Sequence, residues 1–203
     1  MKRMLCLLAG LLLLWGSAMA EEFDQPALEA LEGYEVTMDA WQVNTIVRPE
    51  GQPYEGTMDA SDAELLTFLD FIQMPDEDAT FLRLTLCLTS YEFIGAGELT
   101  VTVNGTDYIF NVFPEVAEYD AVYFEDYSVC MTAESLPMIK AMARSRSDTF
   151  AIRLAGAEEY TGAITLPLDT VAEMYDTYID LGGAKQNLEI CRDLWPVMIV
   201  KEQ

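Results

Sequence analysis

Histidine is absent from all 203 residues. With it go Ser-His-Asp and Cys-His catalysis and every His-ligated zinc site. Positive charge is scarce as well: 11 Lys and Arg stand against 35 Asp and Glu, a formal charge of −24. Such a chain repels phosphate backbones and anionic lipid surfaces, which disfavours nucleic-acid binding and leaves room for cationic partners. Beyond residue 20 no apolar run approaches the roughly 20 residues that a bilayer core requires. No C-x-x-C pair occurs, no run of acids has the EF-hand spacing, and no loop completes G-x-G-x-x-G. No cofactor and no metal is therefore expected.

The N-terminus has the features of an export signal. Lys2 and Arg3 precede an apolar run from Leu5 to Leu14, and Ser17-Ala18-Met19-Ala20 ends in small residues of the kind signal peptidase accepts. Cleavage after Ala20 is expected, giving a bacterial-type signal peptide, 1–20, and a secreted or periplasmic chain that begins at Glu21. A lipid anchor would need a cysteine just after the cut, and Cys6 lies too early. The mature chain keeps every acid but only nine bases, so its formal charge is −26. Its half-apolar composition argues for a packed core and not for disorder. Residues 21–203 suit a single domain.

Three cysteines remain after cleavage: Cys87, Cys130 and Cys191. Cys130 and Cys191 lie near expected element ends and make the first choice for a disulfide, although three pairings are possible. The few bases are unevenly placed. Arg48 and Arg83 are the only two between Glu21 and Ile139, whereas Lys140, Arg144, Arg146 and Arg153 form the one basic cluster. That cluster is read as closing a helix and pairing with surrounding carboxylates.

Periodicity predicts an α+β domain: an antiparallel sheet of about six to eight strands, with two or three helices packed mainly on one face. Residues 21–32 read as a polar lead-in with a short helical turn, Tyr34–Val47 as one or two strands, and 48–53 as a break. A first helix is expected from Ser61, with Glu64 completing a capping box and Leu65, Phe68, Leu69 and Ile72 forming its apolar face. Leu82, Leu84, Leu86 and Leu88 alternate as a strand. Glu98–Val103 and Thr106–Phe113 flank Asn104-Gly105, a strong type I′ hairpin signal. Tyr119–Tyr127 reads as one further strand. Helices are expected near 133–144 and from Asp169 to Gly182-Gly183, separated by strands at 149–154 and 160–166, and Val197–Val200 as a last strand.

Three candidate sites follow. Tyr119, Tyr123 and Tyr127 share parity, so on one strand they would stand in a row able to stack on sugar rings. Acid clusters at Asp59/Asp62/Glu64, Asp76-Glu77-Asp78 and Glu125-Asp126 read as solvated surface, with calcium binding or a glycosidase pair as the sharper alternatives. Gly95-Ala96-Gly97 begins like a phosphate loop, but a strand follows where a helix is needed, so it reads as a connection. Together these features point to a non-enzymatic exported domain that binds a protein, glycan or cell-envelope component. The alternative is a small His-free hydrolase working with carboxylates.

Overall fold

The computed structural model describes residues 24–38, 43–60, 62–74, 79–183 and 199–202. The signal peptide, Asp76-Glu77-Asp78 and Cys191 therefore lie outside the described residues, as does Ser61.

Among the described residues there are twelve strands and three helices, more strands than the periodicity predicts. In chain order they are α1 (Gln25–Glu29), β1 (Tyr34–Met38), β2 (Thr45–Pro49), β3 (Tyr54–Met58), β4 (Glu64–Met74), β5 (Ala79–Ser90), β6 (Glu98–Val103), β7 (Thr106–Asn111), β8 (Glu115–Tyr119), β9 (Val122–Cys130), α2 (Leu136–Ala143), β10 (Thr149–Ala155), β11 (Glu159–Thr165), α3 (Leu168–Asp180) and β12 (Ile199–Glu202). All strand pairs are antiparallel, in the order β12-β7-β6-β10-β11-β3-β4-β5-β9-β8, and the sheet curls into a half-barrel. The β1-β2 hairpin joins from the side, through β2 against β4.

The expected first helix is strand β4. Its apolar residues fit a helical stripe, but Leu66 and Phe71 are apolar too, so both faces of an extended chain can be buried. The polar face such a helix would turn to solvent, Glu64, Thr67, Asp70 and Gln73, is wet only at Glu64: Thr67, Asp70 and Gln73 are buried. β4 wins because it is paired along both edges. β5 covers one edge for the full length, while β3 pairs Leu65–Thr67 and β2 pairs Phe71–Gln73 on the other. In the gap between β3 and β2 the Gln52 carboxamide takes the place of a strand residue. Its Nε2 donates to the Leu69 carbonyl (2.6 Å), and its Oε1 accepts from the Leu69 N–H (2.8 Å).

The other expected elements are closer to plan. Leu82, Leu84, Leu86 and Leu88 alternate into the core along β5. Asn104 and Gly105 turn with φ of 52° and 82°, closing the β6-β7 hairpin. The expected single strand over 119–127 is instead a turn and parts of two strands. Asp120 and Ala121 adopt φ of 50° and 62°, making the same kind of turn with no glycine to signal it. α2 begins later than expected, because Thr132 and Ser135 first close a hydrogen-bonded turn: the Thr132 N–H donates to Ser135 Oγ (2.7 Å).

The core lies between the even face of β5, the odd face of β4, β6, and the buried sides of α2 and α3. Phe71 stacks between Tyr34 and Tyr178, and the Tyr178 hydroxyl donates to the Thr80 carbonyl. β3 and β11 approach unusually closely at glycines. A Cβ on Gly162 would stand 2.2 Å from the Thr57 carbonyl oxygen, a backbone atom that cannot swing aside. Gly162→Ala is expected to lower stability by about 1–3 kcal/mol, read from the urea midpoint. Gly97→Ala, where a Cβ meets nothing within 4 Å, should stay near wild type.

Candidate functional site

The face of the sheet turned away from that core carries an open groove of about 470 Å³. Period-2 geometry decides what lines it: even residues of β4 and β9, odd residues of β5, and Ile46 and Arg48 of β2. Phe113 and Glu115 form one rim.

An ion triad sits in its floor. Asp70 is 0% exposed and accepts three hydrogen bonds. Arg83 binds it bidentately, Nε to Oδ1 and Nη2 to Oδ2, both at 2.9 Å, and Arg48 Nη2 donates to Oδ2 at 3.1 Å. Arg83 is placed by strand register, directly opposite Asp70. Arg48 reaches in from β2 across the Phe68 ring, 4.5 Å from its centroid. Burial lowers the Arg83 pKa, but the Asp70 hydrogen bond and charge outweigh it and leave it above its ordinary value.

Beside the triad, Thr85 and Ser128 hydroxyls share a 2.9 Å hydrogen bond. Cys87 faces Asp126 across the β5-β9 ladder. Burial, then the thiol's hydrogen bond to that carboxylate, push its pKa well above the usual thiol range. It is therefore a neutral thiol at any physiological pH, the opposite of an activated nucleophile. Cys130 also lines the groove, four register positions from Cys87, so the two do not bond to each other. The expected partner of Cys130, Cys191, lies outside the described residues.

On the core side of the same ladder, Glu125 departs from the reading of Glu125-Asp126 as solvated, whereas Asp126 is exposed. The Glu125 side chain is 0% exposed. Oε1 accepts the Ile94 N–H (2.7 Å), and Oε2 accepts the Gly95 N–H (2.8 Å) and the Tyr127 hydroxyl (2.7 Å). The Ala96 N–H donates in turn to the Tyr127 oxygen (3.1 Å). The glycine loop thus does cradle an anion, but the anion is the protein's own carboxylate. Burial comes first among the causes that raise the Tyr127 pKa, followed by its bond to Glu125.

The three tyrosines do not form a row. Tyr119 is on β8 and 73% exposed, Tyr123 packs against Phe93 on β9, and Tyr127 is buried in the Glu125 clamp. Asp59, Asp62 and Glu64 are exposed, and among the described residues no three Asp, Glu or Cys side chains are grouped to hold a metal. The basic cluster is dispersed as well. Arg153 pairs with Glu98 (3.1 Å) and Glu159 (2.8 Å), Lys140 lies over Tyr175, and Arg144 ends α2.

The triad was missed, yet its signal was present. Arg48 and Arg83 are the only bases in the acidic stretch, and both go to an Asp set within an apolar strand. No family model, no curated protein and no solved structure matches the chain.

Proposed function

We propose that the chain is an exported, non-catalytic binding domain whose ligand face is this groove. The buried sides of α2 and α3 belong to the core behind the sheet, and among the described residues no helix lines the groove. What supports binding over catalysis is the state of the charged groups. Asp70 is saturated by two guanidiniums, Glu125 is sealed behind the sheet, and Cys87 is held as a thiol. Ile46, Ile72, Met74 and Phe113 supply apolar walls around Arg48 and Arg83, a lining that suits a ligand with an apolar body and a polar group.

One specific feature favours the hydrolase reading: Glu115 and Asp126 are cross-strand neighbours on the groove face. The two readings separate on purified protein, whose intact mass should begin at Glu21. The aromatic sulfonate 8-anilinonaphthalene-1-sulfonate should bind saturably with a rise in fluorescence. Phe113→Asp, at a side chain 88% exposed, should weaken it by about five-fold (~1 kcal/mol) without loss of stability. A panel of nitrophenyl glycosides, esters and phosphates should show no turnover. Absence of saturable dye binding, or turnover that disappears in Asp126→Asn, overturns the proposal.

A further inference from the structure

We propose that the free edge of β8 takes up an extended cationic peptide segment as an added strand. This rests on the binding-domain reading and names the chemistry of the partner. The strand order ends at β8, and all five of its residues are exposed. Tyr119 and Val122 close a two-residue turn, so in an antiparallel ladder Tyr119, Ala117 and Glu115 exchange hydrogen bonds with β9. The N–H and C=O groups of Val116 and Glu118 then point away from β9, where no described strand meets them.

Charge selects the partner. From Glu115 to Cys130 there are five acids and no base. Glu125 is consumed internally, which leaves Glu115, Glu118, Asp120 and Asp126 to act outward. Edges are commonly guarded by charge against self-pairing, and an acidic guard has a particular consequence here. A second copy of β8 would bring its own Glu115, Glu118 and Asp120 to the same edge with no base to offset them and be repelled, whereas a strand bearing Lys or Arg would be attracted. Glu115 lies on the groove face and Glu118 on the other, three residues apart, with Val116 and Ala117 between them. The complementary segment is basic-apolar-apolar-basic, its two cations emerging on opposite faces. Exposed Phe113 and Tyr119 extend the contact on the groove side.

The probe is a blocked peptide, Lys-Val-Ile-Lys flanked by threonines, titrated into residues 21–203 and followed by amide NMR. Shifts should centre on Val116–Glu118, and affinity should fall as salt rises. Replacing both lysines of the peptide by glutamate should abolish binding. Glu118→Pro removes an outward N–H without costing a bond to β9, and should weaken binding about tenfold or more while the Ala117 amide stays protected. Should that variant fail to fold, the double variant Glu115→Gln/Glu118→Gln tests the charges with the backbone untouched and should weaken binding similarly. No binding by the wild type at millimolar peptide, or equal binding to the variants, overturns the proposal. Dye binding in the groove keeps the two readings apart. Dye without peptide ends the strand-addition proposal alone, and loss of both ends the binding-domain reading too.

Discussion

Asp70→Asn is expected to cost about 3–5 kcal/mol of folding stability. Asparagine keeps the shape and one acceptor oxygen, but it cannot neutralise two guanidiniums. Arg83 and Arg48 have side chains only 13% and 23% exposed, so neither reaches water freely, and they would then face each other across the groove floor. Removing Arg83 instead should be milder, because Asp70 still holds Arg48. Asp70→Leu combined with Arg83→Met should recover much of the loss, since an apolar pair needs no desolvated charge. Urea midpoints for the three variants measure the order. A cost below about 1 kcal/mol for Asp70→Asn would mean that the guanidiniums are not committed to Asp70, and the groove would then have to be read as an anion site.

Glu125→Gln should have the second largest effect, about 2–3 kcal/mol. The carboxylate accepts from three donors with two oxygens. A carboxamide has one oxygen and presents N–H to a donor, so either the Ile94 N–H loses its acceptor at Oε1 or the Gly95 N–H and the Tyr127 hydroxyl lose theirs at Oε2. The disturbance should be local. Hydrogen exchange at Ile94 and Gly95 should accelerate by a factor of about 30 or more (~2 kcal/mol), while amides of β10 and β11 follow only the global change. Tyr127→Phe keeps the carboxylate and should cost less, about 1 kcal/mol. Unchanged exchange at Ile94 and Gly95 in Glu125→Gln would show that the loop is held by its neighbours and not by the carboxylate.

How much of this could be read in advance differs from element to element. β5, the β6-β7 hairpin and α3 were legible because a single signal dominated each: alternation in β5, Asn-Gly in the hairpin, a 3.6-residue stripe ending at Gly182-Gly183 in α3. β4 was not, because an apolar segment with both faces buried satisfies the helical and extended periods together. The Asp120-Ala121 turn carries no residue that announces positive φ. The groove was beyond reach for a different reason. Its floor is assembled from β2, β4, β5 and β9, and which side chains share a face there depends on the strand order of the whole sheet. Composition offered one clue, the pairing of two rare arginines with an acid inside apolar sequence.

The close β3-β11 contact has a consequence for how the chain reaches this state. β4, β5, β8 and β9 can assemble among themselves, as can β6, β7, β10 and β11, largely through nearby segments. Among the described residues the sheet is continuous between the two groups only through β3 against β11, where Gly56–Met58 meet Gly162–Ile164, about a hundred residues apart in sequence. Loop-closure entropy opposes that meeting until each side has gathered its strands. The two glycines at the junction, Gly56 and Gly162, let it close with the least side-chain matching. The half-barrel is thus two locally wound pieces sewn along one narrow seam.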